Sequence, residues 1–308
     1  MDVEAQLLLK IRRLSEAVWD NRATGRDVDA WLKIFTSNSA NETTDRVAML
    51  NLLSNFTYFG VHEVRELLAS LYHELYRQPL IQRIRQSLVD PLDIDAIEDS
   101  YAAHLKRTRF LGVGNPSESG PHLLYYLRQE ADLPSDLFIN HFELPGFAGV
   151  AGDVDHYVFI DDLCGTGCQA CDYSSTVVDT LRRAAPKAQV SYFALIATTD
   201  GLRHVLAEGR YTTVACVMEL GDDFRCFSER SRFWTGDGAS DLKARAKDIC
   251  LRHGRILYPP HPLGFGEAEL AVGFSHNTPD DSLPIFWKRQ SAVLPNFRPL
   301  FRRYGKLA

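Results

Sequence analysis

No apolar run in the 308 residues comes near the roughly 20 needed to span a bilayer, so a membrane-embedded chain is not expected. Charge of one sign is not in excess either. Thirty-four Lys and Arg stand against 40 Asp and Glu, and the net −6 offers no general attraction to nucleic acid or an anionic membrane. Cysteine is scarce, with six residues; a secreted disulfide framework is excluded and thiols are expected. Low-complexity tracts and internal repeats are absent, which removes flexible linkers and solenoids. So are the Gly-x-x-x-x-Gly-Lys-Ser/Thr loop of many nucleotide hydrolases and the Gly-x-Ser-x-Gly elbow of acyl hydrolases. Gly112-x-Gly114 starts a dinucleotide fingerprint, but Ser117 stands where the third glycine belongs.

What remains is an ordinary globular composition, 45% hydrophobic and 24% charged, sufficient for one large domain or two modest ones. The opening MDVEAQLLLKIRRL has the spacing of an amphipathic helix rather than of a cleavable leader, and a cytoplasmic location is expected. Residues 1–100 carry 11 basic and 16 acidic residues and read as helical throughout. Leu7, Ile11, Leu14 and Val18 form one stripe, and Val28, Trp31, Leu32 and Phe35 a second. This segment is expected to be a helical accessory module, joined near Pro91 to a domain over 101–308. There the pattern becomes strand, loop, helix: apolar runs at 110–113, 137–142, 157–160, 190–197 and 212–220 alternate with helical spacing. The expectation is an α/β fold with a mainly parallel sheet, whose ligands sit at the carboxyl ends of strands.

The strongest local signal is Tyr157-Val158-Phe159-Ile160-Asp161-Asp162-Leu163-Cys164-Gly165-Thr166-Gly167. Two adjacent carboxylates at the end of a buried strand repel each other unless a cation or hydroxyl donors meet them. The Gly-Thr-Gly that follows opens a helix, where free backbone N–H groups favour a phosphate. Together they read as a site for a sugar phosphate; the plainer alternative is a strand end followed by a turn.

This segment resembles the ribose-phosphate motif of type I phosphoribosyltransferases. The resemblance implies a ligand such as phosphoribosyl pyrophosphate or a related nucleotide, with magnesium as cofactor. Asp161 and Asp162 would then be the catalytic pair, holding the ribose hydroxyls directly or through magnesium-bound water. Gly165, Thr166, Gly167 and Cys168 would hold the 5′-phosphate, and Ser117, Glu118, Ser119 and Gly120 would lie in the pyrophosphate loop. There are two departures from the common loop: Gly165 replaces its first Thr, and Cys168-Gln169 replaces a small residue and a Thr. A narrower resemblance, carried by GVGNPSESGPHLLYYLR (112–128), PLGFGE (262–267) and HNTPDDSLPIFW (276–287), is to the phosphoribosyltransferase-like effectors of bacterial conflict systems, including antiphage and retron loci. It implies a toxin-like effector rather than a salvage enzyme.

Three further features carry alternatives. His276, Asn277 and Asp280 could belong to a lid over the sugar site, although Asn, Pro, Asp and Ser are also what turns use. Cys164, Cys168 and Cys171 have the C-x₃-C-x₂-C spacing of radical S-adenosylmethionine enzymes, yet Ala170 stands where an aromatic is usual. No neighbouring His or Cys completes a zinc site, so buried helix-face thiols are expected. The C-terminal strip of Lys288, Arg289, Arg298, Arg302, Arg303 and Lys306 is interleaved with Trp287, Phe297, Phe301 and Tyr304. It could meet nucleic-acid phosphates and bases, or pack its aromatics onto the domain. The functional expectation is an effector that binds a ribose-5-phosphate donor or nucleotide and makes or breaks a bond at ribose C1′. The rival is a non-catalytic nucleotide sensor acting through a protein or nucleic-acid partner.

Overall fold

A continuous apolar run pairs as a strand only where both faces are covered, and residues 157–160, every one of them buried, do so inside a parallel sheet. The computed structural model of the protein describes residues 2–36, 41–114, 119–140, 144, 154–289 and 297–303. Among them the strands are β1 (Thr57–Phe59), β2 (Thr108–Gly112), β3 (His156–Cys164), β4 (Gln189–Thr198), β5 (Thr213–Leu220) and β6 (Val272–Phe274). The chain divides into two compact units, Met1–Glu63 with Leu220–Ala308, and Val64–Glu219.

The second unit holds the four-stranded sheet in the order β2-β3-β4-β5. β2, β3 and β4 run parallel, with Phe110 opposite Val158 and Val158 opposite Ser191. Of the strand expected at 137–142, the described residues show one parallel bridge, from Phe138 to Phe110, and 141 and 142 lie outside the described residues. One face of the sheet buries Phe159, Val190 and Tyr192 with Val178 and Leu181. The last two lie on a helical stretch that runs from Cys168–Tyr173 through a π turn, Ser174–Val178, into Asp179–Ala184. Tyr76 covers Phe110 edge-on at 5.2 Å and shares a hydrogen bond of 2.8 Å with Thr108. It sits in a π-helical stretch, Leu71–Arg77, that leads into a helix whose second residue is Pro79. Proline cannot donate to a helical ladder, and a wider turn nearby is one way to absorb that.

The first unit is built from helices Val3–Ala17, Gly25–Thr36, Glu42–Leu53 and Ala239–Leu257, with β1 and β6 paired in parallel. The apolar stripe of Val28, Trp31, Leu32 and Phe35 is buried as its spacing predicts, and residues from the far end of the chain share its core, among them Ile285, Phe286, Phe297 and Phe301. Phe301 stacks on Phe56 with ring centres 3.8 Å apart, and the Trp31 indole donates to the Ile285 carbonyl at 2.9 Å. The boundary near residue 100 therefore does not separate the compact units: residues 64–100 belong with the sheet, and 220–308 with the first three helices. An apolar stripe announces that it must be covered, but not which segment of the chain will cover it.

Candidate functional site

Asp161 and Asp162 do not end their strand. β3 continues through Leu163 and Cys164, which pair with Ile196 and Ala197 of β4, while Asp161 pairs with Ala194. The register skips Asp162, so the regular alternation of faces is interrupted here, and the two carboxylates remain close enough to interact directly. Asp161 is buried, with 5% of its surface exposed. Its Oδ2 accepts the Tyr192 hydroxyl at 2.8 Å and its Oδ1 accepts the Asp162 amide at 3.0 Å. Burial, reinforced by the neighbouring Asp162 charge, raises its pKa well above the ordinary carboxylate value, against the pull of those two hydrogen bonds. Asp162 is half-buried, and its Oδ1 accepts the Leu163 amide at 2.8 Å.

Beyond Cys164 the chain turns through Gly165, Thr166 and Gly167 into the helical stretch beginning at Cys168. Gly167 has φ +79°, a left-handed conformation that a Cβ would strain. A Cβ there would also meet the Gly201 carbonyl oxygen at 2.8 Å. The helix Thr199–Glu208 buttresses this loop at three points. Thr198, its N-cap, accepts the Gly201 amide at 2.9 Å and donates its hydroxyl to the Gly165 carbonyl at 2.5 Å. Gly201 lies so close that a Cβ on it would come within 2.3 Å of the Gly165 carbonyl oxygen. His204 Nδ1 lies 2.8 Å from the Thr166 carbonyl and must be the donor, since a carbonyl only accepts. The Gly165 and Thr166 carbonyls are thus held toward this helix. Among the described residues, the amides of Gly165, Thr166 and Gly167 meet no acceptor. The Cys168 amide reaches the Thr166 hydroxyl at 3.4 Å. Successive backbone amides left without an internal acceptor are what an anion-binding turn requires.

The other expected residues are distributed as follows. Gly120 lies against the end of β2, where a Cβ on Gly112 would meet its Cα at 2.7 Å, and it shares with Ser119 the first turn of the helix Ser119–Glu130. Ser117 and Glu118 lie outside the described residues. His276, Asn277 and Asp280 belong to the other compact unit. There the Asn277 carbonyl accepts the Phe274 amide at 2.8 Å, His276 stacks on Phe274, and Asp280 pairs with Arg303 at 2.9 Å. Trp287, Phe297 and Phe301 of the basic strip are buried within that unit; Tyr304 and Lys306 lie outside the described residues. Magnesium needs ionised oxygens open to a hydrated cation. Asp161 is buried with both oxygens hydrogen-bonded, so of the pair it is the half-buried Asp162 that is placed to meet a hydrated ion. Tyr192, Thr198, Gly201 and His204 were not singled out by sequence reasoning. The one signal available was Thr198-Thr199-Asp200-Gly201, a capping pattern ahead of a helical stripe.

A family model described as PRTase-CE matches residues 28–303 of the chain. No match is found among curated proteins or solved structures.

Proposed function

Because the chain belongs to the PRTase-CE family and so carries a phosphoribosyltransferase-like domain, we propose that the turn after β3 holds the 5′-phosphate of a ribose-phosphate donor, phosphoribosyl pyrophosphate or a related nucleotide. The observation that carries this reading is the row of three loop amides without an acceptor among the described residues, fixed from behind by Thr198, Gly201 and His204. Cys168 closes the loop. Asp162 is the carboxylate that meets the ribose hydroxyls, while Asp161 positions the strand through Tyr192.

The chemistry of such a site is positioning and electrostatics rather than covalent attack. With the phosphate anchored, the bond at ribose C1′ lengthens and its electron pair leaves with pyrophosphate or with a base. An incoming acceptor, or water, supplies a new pair to C1′ and gives up a proton. The oxocarbenium-like intermediate state is favoured by an anionic Asp162 near the ribose. The Ser119-Gly120 turn takes the departing anion. Magnesium belongs to this scheme as the counter-ion that a diphosphate donor brings with it, and no step runs through Asp161. The resemblance at 262–267 and 276–287 extends the proposal to a cytoplasmic effector of an antiphage system.

A second reading is supported by the withdrawal of Asp161 into the core: the same loop binds a nucleotide without turning it over, and occupancy is passed to a partner. A protein partner is favoured over base stacking on the C-terminal strip, whose described aromatics are buried. Calorimetric titration of phosphoribosyl pyrophosphate with magnesium tests the site. One equivalent should bind, Asp162→Asn should weaken binding at least about tenfold, and Asp161→Asn should leave it nearly unchanged. No binding to the native chain overturns the donor assignment. Pyrophosphate or free base released in the same samples identifies an enzyme; unchanged ligand identifies a sensor.

A further inference from the structure

We propose that Cys171, His204 and Glu208 form a binding site for a zinc-class transition-metal ion on the sheet-bearing unit. One ligand atom from each of the three lies within 4.8 Å of the others. His204 and Glu208 are one turn apart on the helix Thr199–Glu208, so they share a face. Cys171 comes from the opposing helix Cys168–Tyr173. Thiolate, imidazole and carboxylate together are the donor set that zinc accepts, and three protein ligands leave a fourth position for water. A purely acidic cluster would have suggested a harder cation.

A second observation supports the site independently. His204 donates Nδ1–H to the Thr166 carbonyl at 2.8 Å, which fixes the tautomer with Nε2 as the nitrogen bearing a lone pair. Metal-bound histidines are characteristically held by such a bond from the other ring nitrogen to a carbonyl or carboxylate. Access is also in place: His204 and Glu208, two of the three ligands, are exposed, while Cys171 is buried. Arg210 pairs with Glu208 Oε2 and competes for that carboxylate, leaving its second oxygen as the ligand. Binding replaces the thiol proton of Cys171 with the metal and releases that proton to solvent. No oxidation or reduction is involved.

Sequence spacing alone missed this set, because the ligands that complete it lie beyond β4. The site also touches the proposed phosphate loop, through the Thr166 carbonyl. The inference itself does not rest on the nucleotide reading, and its test contains no nucleotide.

The test uses the full chain, stripped with a chelator and titrated with zinc against a chromophoric competitor, then with cobalt(II). The expected result is one equivalent bound, one proton released, and a thiolate-to-cobalt charge-transfer band. His204→Gln and Glu208→Gln, both at exposed positions, should each weaken binding about tenfold or more. Cys171→Ser should abolish the band while Cys168→Ser retains it. Because Cys171→Ser alters a buried position, the two helix-surface variants keep the test valid if that protein fails to fold. Absence of a bound equivalent, zinc affinity unchanged in His204→Gln, or a band that depends on Cys168 instead of Cys171 would each overturn the assignment.

Discussion

The Tyr192 hydroxyl of β4 reaches Oδ2 of Asp161 on the neighbouring strand β3, at 2.8 Å, with both side chains buried. This bond turns the first carboxylate of an apparent ligand-binding pair into a structural group. It has a pH signature. The folded-state pKa of Asp161 is raised above the ordinary 3.8, first by burial and then by the Asp162 charge. The folded protein therefore holds this proton more tightly than the unfolded chain does. The resulting stability is fully present below the unfolded value and is lost as pH rises through the folded one. Urea unfolding of the native chain and of Asp161→Asn should give similar stabilities near pH 4, with the balance shifting toward the variant as pH rises. Tyr192→Phe, which removes the donor but keeps the ring, should cost about 1–3 kcal/mol.

His156, at the start of β3, has the opposite sign. Its Nε2 lies 2.8 Å from the Ser191 hydroxyl. Burial, with smaller contributions from the Arg83 and His104 charges, lowers its pKa from 6.5 to about 4. Between those values the unfolded chain takes up a proton that the fold refuses, so stability is present above the unfolded value and is lost as pH falls toward the folded one. The loss should approach roughly 3 kcal/mol across that window. In His156→Gln the unfolding midpoint should lose this dependence between pH 6.5 and 4 while Asp161 continues to contribute in the other direction.

Asp161 and Tyr192 also show what the sequence can disclose. The apolar run 157–160 and the Gly165-Thr166-Gly167 turn are local patterns, and they place β3 and its loop correctly. The continuation of β3 through Asp161 to Cys164 is not local. It depends on backbone pairing with residues 194–197, and two adjacent aspartates taken alone look like a strand end. Tyr192 reads as one more buried aromatic in an apolar strand, and only the parallel register puts its hydroxyl beside Asp161. The stripe Val28, Trp31, Leu32 and Phe35 announces a covered helix face, but its partners, Phe286 and Phe297, come from the other end of the chain. Amphipathic spacing specifies that burial occurs and is silent on long-range partners.

The C-terminal strip provides a third prediction. Phe301 is stacked on Phe56 and edge-on to Trp19 at 5.4 Å, whereas Arg302 beside it is exposed. Phe301→Ala should destabilise by about 3–5 kcal/mol, the range for truncating a buried aromatic. Arg302→Ala should stay within about 0.5 kcal/mol of the native chain. Chemical denaturation of the two variants checks this. Equal effects would mean that the strip is not part of the core of its unit.

The phosphate loop can be disturbed from behind, without touching any residue proposed to meet the ligand. Gly201 approaches the loop so closely that a Cβ would lie 2.3 Å from the Gly165 carbonyl oxygen and 2.7 Å from that of Cys164. Both obstacles are backbone atoms, so relief requires the loop or the helix to move. Gly201→Ala is expected to cost about 1–3 kcal/mol, as overpacking does, and to weaken phosphoribosyl pyrophosphate binding at least about tenfold by displacing the loop amides. Gly209 supplies the control. It caps the far end of the same helix at φ +64°, with nothing within 4 Å of its added Cβ. Gly209→Ala meets only the left-handed backbone penalty, about 1 kcal/mol, and should leave binding unchanged. Thermal unfolding and calorimetry on the two variants separate lost stability from lost geometry. If Gly209→Ala weakens binding as much as Gly201→Ala, general destabilisation explains both and the loop is not the site.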